Sequence, residues 1–185
     1  MKVLKSFLIL SIAILGFSFV NVEARSFSED GNTTQQQIEK QVFKKIVYMP
    51  DYGVFDNIKF SVEGDTVTLQ GKVYNAIIRQ RAEKQILKID GVENVINNIE
   101  ILPPSSFDNR IRRQTVRSFA RTGGIYRYLQ GPNPSMRIIV ERGRLTLEGY
   151  VTNNGDSKLA NILAQGIPGV FSVTNNLIVT KEKLY

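Results

Sequence analysis

Apolar residues recur along this chain at two spacings, and the spacings follow each other in a fixed order. Ile38, Val42 and Ile46, with Phe43 and Val47 beside them, stand one helical turn apart and predict an amphipathic helix. Ile58, Phe60 and Val62 alternate with polar residues, as do Val67 and Leu69 with Val73 beyond, so two strands follow. Gly64-Asp65 between them reads as a tight hairpin turn. Helical spacing returns at Ile78, Ala82, Ile86 and Ile89. Asp90-Gly91 is expected to stop that helix, the glycine taking the positive φ of a C-cap. A last strand runs from Val95 through Ile99 and Ile101.

The order then starts again. "DGVENVINNIEIL" at 90–102 returns as "PGVFSVTNNLIVT" at 168–180, and "VTLQGKV" at 67–73 returns as "LTLEGYV" at 145–151, both 78 residues on. Further upstream the offset is 73, with "IEKQVFKKI" at 38–46 over "IRRQTVRSF" at 111–119. The second copy therefore holds five extra residues in "GGIYRYLQGPNPS", between its first helix and first strand. In it, Asp156 or Ser157 is expected to cap the second helix, which Ala160, Ala164 and Ile167 bury. Two copies of this length make a duplicated domain rather than a solenoid. The fold class is α+β: two tandem αββαβ domains, 33–102 and 107–181. Each is a three-stranded sheet covered on one face by two helices. Residues 103–106, Pro-Pro-Ser-Ser, form a linker too short to let the copies wander apart.

The first residues read as an address. Lys2 and Lys5 precede an apolar run, Phe7 to Val20, of about 14 residues, short of the roughly 20 that span a bilayer. Val22-Glu23-Ala24 then supplies small or short side chains where a signal peptidase cuts. Residues 1–24 are thus expected to be a signal peptide, the rival being an uncleaved anchor. The mature chain would begin near Arg25 and lie in a bacterial periplasm, away from nucleic acid. No cysteine follows the run, so a lipidated terminus is not expected.

Composition narrows the chemistry. The chain has no Cys, His or Trp, which removes thiol nucleophiles, disulfides, and the commonest general base and metal ligand. Any catalysis would fall to carboxylates, Lys, Tyr or Ser. Asp51 and Asp56 flank one loop and Glu63 and Glu141 leave the apolar set, but no pair stands in acid and base positions. These are read as solvated surface. No catalytic residue, metal site or cofactor is expected.

The hairpin and the clause after the second helix carry a resemblance. In the second copy they read Gly143-x-Leu145-x-Leu147-x-Gly149-x-Val151, then Gly169-Val170-x-x-Val173-x-Asn175. The first copy has Val67, Leu69, Gly71 and Val73, then Gly91, Val92, Val95 and Asn97, with Asp65 where the first glycine would stand. Both copies resemble the BON domain, named for bacterial osmotically inducible and nodulation proteins. The tandem arrangement is similar to that of osmotically inducible periplasmic members and their outer-membrane-associated relatives. The resemblance implies a non-enzymatic role in the envelope under osmotic or membrane stress, with phospholipid as ligand. The repeated glycines and asparagines are read as fold: Gly71 and Gly149 permit a bulge or close helix packing, and Asn97 and Asn175 bond neighbouring backbone.

Charge separates the copies. Removing Lys2, Lys5 and Glu23 takes 24 basic and 17 acidic residues to 22 and 16, a mature net charge of +6. Residues 106–130 hold six Arg against Asp108 alone. On a helical wheel Arg110, Arg113, Arg117 and Arg121 share an arc of roughly 80°. Ile111, Thr115, Val116, Phe119 and Ala120 take the opposite side, with Arg112 intruding among them. The first copy offers only Gln37, Lys40, Lys44 and Tyr48 on that ridge. Four like charges repel, so a merely solvated face explains them poorly. The candidate lipid-binding residues are Arg110, Arg113, Arg117, Arg121, Tyr126, Arg127 and Tyr128, facing anionic phospholipid or the inner surface of the outer membrane. The alternative is an acidic protein partner of the envelope. The loop aromatics Tyr52, Phe55, Tyr126 and Tyr128 either fill the core edge and the domain junction or meet a membrane interface.

Overall fold

In the computed structural model the described residues are 29–181, so the leader expected at 1–24 lies outside them. The chain runs α1 (Glu29–Val47), β1 (Asn57–Glu63), β2 (Thr66–Val73), α2 (Ala76–Ile86) and β3 (Asn94–Ile101). It repeats as α3 (Ser106–Arg121), the short α4 (Gly123–Tyr126) with a 3-10 turn (Arg127–Leu129), β4 (Met136–Glu141), β5 (Arg144–Val151), α5 (Asn154–Gln165) and β6 (Ser172–Val179). The sheets are ordered β1-β2-β3 and β4-β5-β6, the hairpin antiparallel and the third strand parallel to the middle one. α2 and α5 are thus the crossovers that a parallel pair requires.

The two cores are the two apolar sets. Ile38, Val42 and Ile46 of α1 and Ile78, Ala82 and Ile86 of α2 close over Val67, Leu69 and Val73. Ile111 and Phe119 of α3 and Ala160 and Ala164 of α5 close over Ile138, Val140, Leu145 and Leu147. The register sets Phe60 against Leu69 and Ile138 against Leu147, as the alternation requires.

Three local expectations are corrected. α2 ends at Ile86, with the Leu87 N–H donating to the Glu83 carbonyl, well before Asp90-Gly91. Gly91 does hold φ +87°, but its use is to seat α1: a Cβ there would stand 3.2 Å from Ile38 Cδ1. α5 is capped by Asn153, whose Oδ1 accepts the Asp156 N–H at 2.8 Å, and not by Asp156 or Ser157. Gly71 and Gly149 make room for strand backbone rather than for a helix. A Cβ would lie 2.1 Å from the Asn57 and Ser135 carbonyl oxygens respectively, and both glycines have positive φ.

Asn97 and Asn175 do more than turn their own backbone. Each side-chain oxygen accepts the N–H two residues on, while each amide reaches back to the crossover helix. Asn97 Nδ2 donates to the Arg79 carbonyl at 3.1 Å and Asn175 Nδ2 to the Ser157 carbonyl at 3.1 Å. That ties the last strand to the start of α2 or α5.

The domains dock through a loop. The Ile138 N–H on the outer edge of β4 donates to the Val54 carbonyl at 2.7 Å. Val54 and Phe55 pack against the second core. β4 is consequently buried on both faces, Arg137 and Ile139 included, whereas β1 is not. Lys59 pairs with Glu148 at 2.9 Å, and Lys72 pairs with Glu141.

Candidate lipid-binding surface

α3 starts where Ser105 Oγ accepts the Asp108 N–H at 3.1 Å, the N-cap bond that spares an otherwise unpaired donor. Asp108 turns inward, its carboxylate accepting the Arg142 and Gly143 N–H groups of the β4–β5 turn at 2.9 and 2.8 Å. That pins the helix to the hairpin and fixes which face is outward. Arg110, Arg113, Arg117 and Arg121 are all on the outward face and exposed. Among the described residues none of the four forms an ion pair.

Three predicted neighbours part company there. Tyr126 is exposed at the far end of α3. Tyr128 is 5% exposed, so its expected place at a lipid surface is corrected. Its hydroxyl donates to Asp156 Oδ2 at 2.5 Å and accepts the Thr152 N–H at 3.1 Å. Arg127 stacks on the Tyr128 ring and donates to Asp156 at 2.5 Å. It is engaged inside its own domain rather than free for a ligand. The Tyr128 hydroxyl, then Arg127 and Asn153, hold the Asp156 carboxyl below its ordinary value.

Two aromatic rings extend the arginine face. Phe107, in the first turn of α3, stacks on Phe171 with centroids 5.9 Å apart, and Phe171 is 76% exposed. Glycines clear the space beneath: a Cβ at Gly143 would fall 2.5 Å from Phe171 Cδ2, and one at Gly169 would fall 3.1 Å from Phe107 Cζ. The exposed Arg142 and Arg144 lie on the same hairpin. Sequence reasoning missed this pair, although the repeat carries the signal. At the same offsets the first copy has Thr34 and Glu93. Large exposed aromatics at the end of a cationic ridge are what an interfacial surface needs.

Arg112 is the other residue whose role the helical wheel concealed. It is 2% exposed and crosses the domain junction to stack on Tyr74, 4.9 Å from the ring centroid. It donates to Asn109 Oδ1 at 2.6 Å and to the Val140 carbonyl. Arg137 does likewise from β4, lying 4.5 Å over the Tyr52 ring and donating to the Gly53 carbonyl at 2.8 Å. Burial lowers the pKa of both guanidiniums, but from so high a start that they stay charged. Asp56 faces this pair at 3% exposure, which corrects its reading as a solvated carboxylate. It accepts the Gly53 and Tyr74 N–H groups at 2.9 and 2.7 Å. Desolvation nonetheless raises its pKa, the two N–H donors and the two arginines only partly opposing it. Among the described residues no group of His, Cys, Asp or Glu is placed to hold a metal ion.

This duplicated αββαβ architecture coincides with a family match. The BON domain matches residues 34–103 and again 108–181. The chain belongs to the BON domain family. No curated protein matches it. Two solved structures of CdsD, a structural protein of the type III secretion system of Chlamydia trachomatis, are similar at a distance. Its C-terminal domain aligns at 10% identity and a TM-score of 0.31, over 75% of this chain and 97% of that one. A second CdsD structure aligns at 12% identity and a TM-score of 0.29, over 78% and 92%. Within this tandem BON protein, the second domain alone carries the arginine ridge and the phenylalanine pair.

Proposed function

We propose that this is a non-enzymatic protein of the periplasm that maintains the cell envelope under osmotic or membrane stress. Its second BON domain adheres to anionic phospholipid through α3. One observation carries the reading: Arg110, Arg113, Arg117 and Arg121 lie exposed along one helix face with no acidic partner among the described residues. Each basic residue near an anionic bilayer is worth on the order of 1 kcal/mol. Four together give roughly 4 kcal/mol, close to a thousandfold in partitioning before salt screens them. Tyr126 at one end and the Phe107–Phe171 pair at the other supply apolar purchase at the headgroup level. Such adhesion is weak and reversible, which suits a peripheral protein.

Vesicle flotation tests it. Purified protein should float with vesicles containing phosphatidylglycerol or cardiolipin and not with pure phosphatidylcholine, and added salt should release it. Arg113→Glu with Arg117→Glu should lower binding tenfold or more while the melting temperature holds, both side chains being exposed. Unchanged flotation by the double variant would overturn the lipid reading and favour an acidic protein partner at the same face.

A further inference from the structure

The two domains treat the free edge of their first strand differently. In a two-residue hairpin the residues flanking the turn form a hydrogen-bonded pair, here Glu63 with Thr66 and Glu141 with Arg144. Alternate residues therefore turn their N–H and C=O outward: Ile58, Phe60 and Val62 on β1, and Met136, Ile138 and Val140 on β4. On β4 both Ile138 and Val140 have an outward group bonded. Ile138 N–H donates to the Val54 carbonyl, and the Val140 carbonyl accepts from Arg112. On β1 each flanking position has one outward group bonded as well, the Ile58 N–H to the Tyr52 hydroxyl at 3.0 Å and the Val62 carbonyl to Gln35 at 3.1 Å. Phe60 stands between them, and it is the counterpart of Ile138, 78 residues earlier. Among the described residues no hydrogen bond covers its outward N–H and C=O.

Phe60 opens into a cleft of about 700 Å³ between the domains. Val47 and Ile58 line its first-domain wall with Phe60, and Tyr150 and Ile178 line the opposite wall on the open face of the second sheet. Ile178 is 57% exposed. The charged groups in the cleft are already engaged, Lys59 with Glu148 at 2.9 Å and Arg137 with the Gly53 carbonyl and Asn133 Oδ1. The cleft continues the interface on which Val54 docks, since Tyr52 and Arg137 border both.

We propose that this cleft takes an extended, uncharged peptide with apolar side chains at alternate positions, added as a short strand to β1 at Phe60. The molecule already makes such a contact internally, where Val54 bonds the edge of β4 and its neighbour Phe55 packs against the second core. Backbone bonds at the edge supply the register, and apolar walls at strand spacing select the side chains. A hydrocarbon chain would cover the walls equally but leave the two polar groups of Phe60 unmet. The proposal does not depend on membrane binding.

The test is titration of isotope-labelled protein with an acetylated, amidated hexapeptide of alternating threonine and valine, read by amide resonances. The Phe60 and Ile178 amides should shift, and the Ile138 amide, already bonded to Val54, should not. N-methylating the peptide's valines, or making Ile178→Lys on the exposed wall, should weaken binding at least tenfold. Absence of shifts up to about 1 mM peptide would overturn the proposal. So would equal binding of the N-methylated peptide. Palmitate moving the same resonances where the peptide fails would make the cleft a hydrocarbon site. If removing residues 182–185 moved the Phe60 amide before any peptide was added, this chain's own end would be the occupant, and the proposal would fall.

Discussion

At the scale of single residues, the repeated glycines separate two demands that look alike in sequence. Gly149 needs both a positive φ, +102°, and an absent side chain, because the Ser135 carbonyl would lie 2.1 Å from a Cβ. Gly131 needs only the φ, +87°, with nothing within 4 Å of a Cβ. Forcing an L-residue into such backbone costs about 1–3 kcal/mol, and a clash with rigid strand backbone adds a similar amount. Gly149→Ala should therefore destabilise by at least about 3 kcal/mol, and Gly131→Ala by about 1 kcal/mol. Urea unfolding of the two variants measures the difference. Equal losses would mean that the close approach of Ser135 is relieved without cost. Arg112 belongs at this scale too. A charged residue on an apolar helix face looks like an exception to the pattern, yet it is where the first domain arrives with Tyr74.

Elements were the most legible level, because hydrophobic period reports directly on which face of a helix or strand is dry. Helical spacing located α1, α2, α3 and α5, and alternation located the hairpins and their register. What the period missed was short or local. The loop that holds the five extra residues of the second copy begins with α4 and a 3-10 turn, too brief to show a period. The true cap of α5, Asn153, stands three residues before Asp156, and both residue types serve as caps. The arginine ridge was equally legible, since a wheel needs only spacing, and α3 and α1 make a matched pair. Lys40 and Lys44 are exposed on α1 as Arg113 and Arg117 are on α3, but Gln37 and Tyr48 complete that ridge without charge. Lys40→Glu with Lys44→Glu changes net charge by the same four units as the arginine reversal. It should lower binding to phosphatidylglycerol vesicles severalfold less, by flotation at one salt concentration. Equal losses would show that overall charge, rather than the α3 face, sets adhesion.

For the molecule as a whole, sequence was least informative, because the junction is built from residues distant along the chain. Tyr52, Asp56, Tyr74, Arg112 and Arg137 come from two loops, a helix and a strand, and no spacing rule joins them. Single-residue statistics place Asp on the surface, yet Asp56 is buried because Gly53 and Tyr74 turn their N–H groups to it and two arginines arrive from the other domain. That burial has a consequence for pH. Desolvation raises the folded-state pKa of Asp56 above the ordinary value, near 3.9, that it recovers on unfolding. Between those two values the folded chain holds more protons than the unfolded one. The contribution of Asp56 to stability is accordingly complete below the unfolded pKa and lost as pH rises through the folded one. Asp56→Asn carries no titration, and every other group cancels when the two proteins are compared. The stability of wild type minus that of Asp56→Asn should fall as pH is raised from about 4 to about 7, measured by urea unfolding at each pH. A difference that rises instead would mean that Arg112, Arg137 and the two N–H donors outweigh desolvation. The junction would then be held by an ionised Asp56, tightening rather than relaxing as acid is removed.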